Sequence, residues 1–104
     1  MAVIEREARI VNPLGMHARP AAEFVKVANR FRSNVEVRKD HVAVNGKSIM
    51  GVMTLAAECG SFLVIKTDGA DAEEAMAALL ALVADGFHEM HLKLDDDGGG
   101  DDAS

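Results

Sequence analysis

The sequence has few of the features that mark disulfide-bonded, aromatic-rich or membrane-inserted proteins. Its 104 residues include one cysteine, Cys59, which excludes an intramolecular disulfide and indicates a reducing compartment. There is no Trp or Tyr and only four Phe, so aliphatic side chains must fill the core. No apolar run approaches the roughly 18 residues of a membrane span, and no secretory signal is visible. We therefore expect a cytoplasmic protein that does not insert into membranes.

The formal net charge of −6 disfavours nucleic-acid binding, but the charge is unevenly distributed. Residues 95–104 contain five Asp and no Lys or Arg, so the preceding 94 residues carry 12 acidic and 11 basic groups. This segment also lacks apolar residues that could be buried. We predict a nearly neutral domain over residues 1–90, followed by an acidic, Gly/Asp-rich disordered tail over 91–104.

The hydrophobic pattern alternates between the period of strands and the period of helices. It predicts strands over 3–11, 34–39, 41–45 and 61–67, with helices over 18–31, 48–57 and from 72 onward. Asp71 and Glu74 are spaced as in a capping box before the last helix, and Gly86 suits its end. The order βαββαβα favours an α+β fold, in which helices cover one face of a four-stranded antiparallel sheet.

A histidine stands at the predicted start of the first helix, in the segment Gly15-Met16-His17-Ala18-Arg19-Pro20. The first N–H groups of a helix lack internal partners and carry partial positive charge, so they stabilise an anion. Arg19 adds a guanidinium whose geometry matches phosphate oxygens. This positive environment disfavours the imidazolium form of His17, which keeps the ring nucleophilic. His17 is therefore a candidate for phosphorylation or anion binding, with simple helix capping as the alternative.

Two segments extend this interpretation by resemblance. GMHARPAAEFV at residues 15–25 resembles the active-site signature of the histidine-containing phosphocarrier (HPr) family, and NGKSIMGV at residues 45–52 resembles its regulatory-serine segment. The resemblance covers residues 3 to 88, and the predicted element order is that of the family's open-faced β-sandwich.

The resemblance implies a carrier in the phosphoenolpyruvate-dependent phosphotransferase system. His17 would accept a phosphoryl group on Nδ1 from phosphorylated Enzyme I and pass it to a histidine of an EIIA-type protein. By position, Arg19 would steady the phosphoryl group, and Ala18 and Arg19 would supply backbone donors. Such a protein is a stoichiometric carrier rather than an enzyme, needs no cofactor and is expected to be a monomer.

Ser48 has two compatible roles. It is a suitable N-cap for the second helix, worth about 1 kcal/mol. By resemblance it is also the serine that an HPr kinase/phosphatase modifies. A phosphate there would add roughly −1.5 to −2 charges and oppose acidic partners.

A short second helix cannot bury all of its apolar residues, so some must be exposed, with Met50 the foremost candidate. The resemblance makes the region beside His17 a docking surface for Enzyme I and EIIA partners. Its predicted members are Met16, Pro20, Lys47, Ile49, Met50 and Met53, while Lys26 and Arg30 are candidates for a basic rim.

Other functions fit the sequence less well. A purely regulatory binding protein switched at Ser48 would lack the active histidine, and a generic anion- or metal-binding domain would not explain the Ser48 segment. His88 and His91 alone are too few ligands to predict a metal site. The alternative within the family is a nitrogen-branch (NPr-like) carrier that is not coupled to sugar transport. Residues 81–87 resemble that branch, whereas residues 47–52 resemble sugar-branch carriers.

Overall fold

The computed structural model describes residues 2–90, so the predicted tail lies outside the described residues. The elements are β1 (Ala2–Arg9), α1 (Ala18–Ala28), β2 (Asn34–Lys39), β3 (Val42–Asn45), α2 (Ile49–Thr54), β4 (Phe62–Gly69) and α3 (Ala72–Ala84), followed by a 3-10 turn at Gly86–His88. The predicted order βαββαβα is confirmed.

The four strands form one antiparallel sheet in the order β1-β4-β2-β3. β4 alternates buried and partly exposed residues along its length, as its period-2 sequence requires. Its buried side chains point to the face that the helices cover, and the opposite face is open. The α+β architecture predicted from the sequence is therefore confirmed.

Aliphatic residues dominate the core between the sheet and the helices, as the scarcity of aromatics requires. Phe24 of α1 is fully buried among them. Other completely or almost completely buried members are Ile10, Val37, Val52, Leu63, Ile65, Leu79 and Val83. The stripe predicted on α3, formed by Ala75, Met76, Leu79, Leu82 and Val83, is buried throughout.

Helices α1 and α2 both end earlier than the hydrophobic pattern predicted. After α1, the amides of Arg30 and Phe31 donate to carbonyls three residues back. Such bonds form a 3-10-type turn in place of a further α-helical turn. The same happens after α2, where Leu55 and Ala56 make such bonds and Ala56 adopts a φ of 49°. The apolar periodicity thus continues for several residues beyond the regular α-helices.

The capping box predicted for α3 is wrong in its hydrogen bonding. Asp71 is the N-cap residue, but its side chain makes no cap bond. Its carboxylate instead accepts hydrogen bonds from the Ser33 hydroxyl and from the backbone N–H groups of Arg32 and Ser33, both 2.9 Å. The Ser33 hydroxyl, followed by the Arg32 amide, lowers the pKa of Asp71 from 3.8 to about 2. Asp71 therefore connects the start of α3 to the start of β2.

Candidate functional site

The loop between β1 and α1 is fixed by its backbone. Gly15 has a φ of 71°, and a Cβ at this position would stand 2.7 Å from the carbonyl oxygen of Ala57. That same carbonyl accepts a 2.8 Å hydrogen bond from the Met16 amide. The Asn12 side chain donates from Nδ2 to the Gly15 carbonyl at 2.8 Å. These contacts anchor the residue immediately before His17 to the segment that follows α2.

His17 is the N-cap residue of α1, with extended backbone angles of φ −94° and ψ −167°. Its carbonyl accepts the first helical bond, from Ala21, at 3.0 Å. Its side chain makes no capping bond and is 38% exposed. The imidazole is therefore not used to cap the helix, which removes the simplest structural explanation for a histidine here.

The start of α1 offers backbone donors beside that imidazole. Within residues 2–90, no backbone carbonyl accepts from the N–H groups of Ala18 or Arg19, and Pro20 has no N–H. Both residues are exposed. Two N–H groups, the positive end of the helix dipole and a guanidinium side chain thus lie at one helix start, which suits a doubly charged phosphoryl group.

A buried carboxylate, which the sequence analysis missed, lies on the other side of the ring. Oε1 of Glu89 is 3.0 Å from Nε2 of His17 and 3.2 Å from Nδ2 of Asn12. Glu89 is only 2% exposed. Its other oxygen, Oε2, has no hydrogen-bond partner in the described part of the chain, and neither has Oδ1 of Asn12.

A strained turn brings Glu89 to this position. Gly86, Phe87 and His88 have φ values of 68°, 56° and 64°, all left-handed. Each of the two non-glycine residues costs about 1–2 kcal/mol in this conformation. Phe87 is buried in the core, which helps to hold the turn. Gly86, predicted only as a helix stop, was the one sequence signal that the chain reverses here.

Ser48 occupies the N-cap position of α2, as predicted. Its Oγ accepts a 3.0 Å hydrogen bond from the Gly51 amide, and the residue is partly exposed. The neighbouring Lys47 is partly buried and donates from Nζ to the Phe31 carbonyl at 2.7 Å. The Lys47 ammonium thus also ties the start of α2 to the segment after α1.

Three apolar side chains of α2 are exposed: Ile49, Met50 and Met53. We call them the α2 patch. Met50 is 76% exposed, which fits the expectation that a short helix cannot bury all of its apolar residues. Only Val52 of this helix is buried.

The prediction that Met16 and Pro20 present side chains at the docking surface needs correction. Met16 is only 4% exposed and belongs to the core cluster. Pro20 is almost completely buried on the inner side of α1. The positive φ of Gly15 and the Met16–Ala57 hydrogen bond direct the loop toward the core. Met16 and Pro20 therefore pack beneath the surface instead of forming part of it.

Residues 2–90 contain neither a cluster of metal-ligating side chains nor a membrane-spanning helix. Among them, no group of three or more His, Cys, Asp or Glu side chains could hold a metal ion. His88 pairs through Nδ1 with Asp85, while His91 lies outside the described residues. No helix within the described range is long and apolar enough to cross a membrane.

Known proteins are similar to this chain in sequence and in fold. The family model PTS-HPr, described as the PTS HPr component phosphorylation site, matches residues 4–85. The phosphocarrier protein HPr of Cupriavidus necator is 47% identical over 87 residues, covering 84% of this chain and 98% of the relative. That of Pseudomonas aeruginosa is 48% identical over 84 residues, covering 80% and 93%. The chain belongs to the HPr phosphocarrier family of the phosphotransferase system.

Solved structures give the same result. A phosphocarrier protein HPr from Bacillus anthracis superposes with a TM-score of 0.76 at 47% identity, covering 80% of this chain and 99% of that one. HPr-C-His from Thermoanaerobacter tengcongensis gives 0.80 at 44% identity, covering 83% and 97%. An HPr described as a dimer, from the same organism, gives 0.66 at 46% identity, covering 76% and 91%. The open-faced sheet under three helices is thus the HPr fold.

Proposed function

We propose that this chain carries a phosphoryl group on Nδ1 of His17, accepting it from phosphorylated Enzyme I and passing it to a histidine of an EIIA-type protein. The main support is the environment of the imidazole. Its Nε2 is paired with Glu89, its Nδ1 has no partner among residues 2–90, and unpaired N–H groups lie at the adjacent helix start. An unpaired ring nitrogen beside an anion-binding helix start suits phosphoryl acceptance.

In this role the protein is a stoichiometric carrier that acts in the cytoplasm as a monomer, without a cofactor. Ala18 and Arg19 bind the phosphoryl oxygens through their amides, and the Arg19 guanidinium offsets the added charge. In this proposal the larger partners supply the catalytic groups for each transfer.

Labelling tests this assignment. Incubation with phosphoenolpyruvate and Enzyme I should give an acid-labile phosphate, at one phosphate per chain, that is transferred onward when an EIIA protein is added. The His17→Ala variant should take no label, whereas His41→Ala, which removes an exposed histidine of the strand hairpin, should label normally. Persistence of the label in His17→Ala would refute the assignment.

We infer a regulatory role for Ser48, phosphorylated by an HPr kinase/phosphatase. Its hydroxyl is partly exposed at a helix start and adjoins the α2 patch. A phosphate there is compatible with the helix dipole, so the fold is retained while roughly −1.5 to −2 charges are added beside the docking surface.

The Ser48→Asp variant adds a negative charge at the start of α2 while retaining a side chain that can cap the helix. Asp is also a good N-cap, so the unfolding free energy should stay close to that of the parent protein, while affinity for Enzyme I falls. Ser48→Ala is the matched control, because it loses about 1 kcal/mol of stability without gaining charge and should bind Enzyme I normally. Equal affinities of all three proteins for Enzyme I would exclude electrostatic regulation at this position.

The nitrogen branch remains the alternative within this function. The end of α3 and the following turn resemble carriers of that branch, whereas the Ser48 segment resembles sugar-branch carriers. The two branches differ in the EIIA proteins they phosphorylate. Transfer of label from this chain to a sugar-specific EIIA, but not to a nitrogen-related one, would assign it to the sugar branch, and the reverse pattern to the nitrogen branch.

A further inference from the structure

We propose that Glu89 is a positioning residue for phosphoryl transfer: its buried carboxylate keeps the ring proton on Nε2 of His17 and offsets the positive charge of the phosphorylated ring. This inference rests on the proposed function of His17. It concerns a residue that lies beyond the segment matched by the family model, which ends at residue 85.

The hydrogen bonds around Glu89 determine where the ring proton lies. The carbonyl of Gly15 can only accept, so the atom of Asn12 that contacts it must be the donor Nδ2. The second hydrogen of Nδ2 is then directed to Oε1 of Glu89, at 3.2 Å. With Glu89 ionised, its oxygens can only accept, so Nε2 of His17, 3.0 Å away, donates to Oε1. A neutral imidazole protonated on Nε2 has its lone pair on Nδ1.

The same contact acts after transfer. The Nδ1 lone pair forms the new bond to phosphorus, while the bond from phosphorus to the donor breaks and its electron pair stays with the donor. The ring now carries the phosphoryl group on Nδ1 and the original proton on Nε2, and is therefore positively charged. A carboxylate at 3.0 Å from Nε2 stabilises this form more than a neutral acceptor would.

Onward transfer is the reverse of this step. The electron pair of the N–P bond returns to Nδ1, and the ring leaves as a neutral imidazole that is still protonated on Nε2. No proton has to enter or leave during the cycle. The Glu89 carboxylate thus makes the ring a better phosphoryl acceptor. It also makes the phosphorylated ring a weaker phosphoryl donor, because that form is more strongly stabilised.

The local structure indicates that this placement of Glu89 is specifically maintained. Three consecutive left-handed residues, two of them not glycine, turn the chain so that Glu89 reaches the ring. The carboxylate is buried, and Oε2 has no partner within the described residues. Strain and an unsatisfied buried oxygen both disfavour the arrangement, which is typical of a functional site rather than of a stabilising contact.

The test uses nitrogen-15 NMR of the His17 ring in the full chain and the equilibrium of phosphoryl exchange with Enzyme I. In the parent protein, the neutral ring should be protonated on Nε2 alone, with slow exchange of that proton. Glu89→Gln retains an acceptor oxygen without the charge, so it should keep this tautomer. Its exchange equilibrium should shift about tenfold toward phosphorylated Enzyme I.

Two further variants complete the experiment. Glu89→Ala removes the acceptor, so both ring tautomers should appear and the Nε2 proton should exchange rapidly. Glu73→Gln, at an exposed position of α3, removes one negative charge elsewhere and should change neither measurement.

The outcomes separate this inference from the proposed function. A parent ring protonated on Nδ1, or an unshifted equilibrium in Glu89→Gln, overturns the role of Glu89 even when His17 is phosphorylated normally. A parent protein that takes no phosphoryl group on His17 overturns the proposed function itself. The tautomer is measured in the parent protein, so this part of the test does not depend on the folding of any variant.

Discussion

At the scale of single residues, the proposed phosphorylation of His17 relies on groups that contact the residue from both sides. Gly15 sets the direction of the chain on one side, and Glu89 holds the ring on the other. Ala18 and Arg19 complete the site with their backbone N–H groups.

Gly15→Ala tests the close approach of the loop to the segment that follows α2. Gly60→Ala is a matched control, since Gly60 has a φ of 93° but no heavy atom within 4 Å of an added Cβ. We expect Gly60→Ala to lower the unfolding free energy by about 1–2 kcal/mol, from backbone strain alone. Gly15→Ala should lower it further, because its Cβ also meets the Ala57 carbonyl, and should slow phosphorylation of His17. Chemical denaturation measures both variants, and equal losses of stability would exclude the steric contribution.

At the scale of elements, α2 combines a buried anchor with an exposed contact surface. Val52 faces the core while Ile49, Met50 and Met53 form the α2 patch. The segment that follows α2 contacts the loop before His17 through the hydrogen bond from the Met16 amide to the Ala57 carbonyl. An exposed set of flexible, polarizable side chains suits contacts with more than one partner. Docking through this patch is a proposal, and Met50 is its most exposed member.

Replacement of Met50 by Ser tests docking without disturbing the core. We expect binding to Enzyme I to weaken about tenfold, which corresponds to about 1.4 kcal/mol, because the variant loses apolar contact area. The unfolding free energy should change by less than about 0.5 kcal/mol. Val3→Ser, at an exposed position of β1, should leave binding unchanged. Calorimetric titration measures both affinities, and equal affinities would remove Met50 from the interface.

At the scale of the whole molecule, one carboxylate connects segments that are distant in sequence. Asp71, at the start of α3, accepts hydrogen bonds from Arg32 and Ser33, which precede β2. Gly69 packs so closely that an added Cβ would lie 2.6 Å from the Ser33 hydroxyl. The segment between α1 and β2 is thus joined to the segment between β4 and α3.

Asp71 should give the fold an acid-dependent contribution to its stability. Its pKa is about 2 in the folded protein and 3.8 as the ordinary value, so the unfolded chain binds its proton first as the pH falls. The contribution is complete above the unfolded value and is lost between about pH 4 and pH 2. Asp71→Asn should therefore be less stable than the parent at pH 6, with the difference shrinking toward pH 2. Urea denaturation across this range measures it, and a pH-independent difference would contradict the assignment.

The fold was predictable because its signals are local. The alternation of β4 and the apolar spacing of α1 and α3 depend on neighbouring residues, and the structure confirms them. The candidate nucleophile His17 was also visible, because its position at a helix start is a local feature. Its phosphorylation stays a prediction.

The missed features all depend on contacts between distant parts of the chain. Glu89 lies 72 residues from His17 and reaches it through a turn of three left-handed residues, two of which gave no sequence signal. Asp71 bonds to residues 38 and 39 positions away instead of to its own helix. Met16 is buried because of the conformation of Gly15, which a helical or strand period does not encode.

The most direct test of the account is the site of phosphorylation on the intact chain. Nitrogen–phosphorus coupling in NMR spectra, recorded after incubation with phosphoenolpyruvate and Enzyme I, identifies the nitrogen that carries the phosphoryl group. The account predicts coupling to Nδ1 of His17, with the proton still on Nε2. Coupling to Nε2, or a phosphoryl group on any other residue, would contradict it.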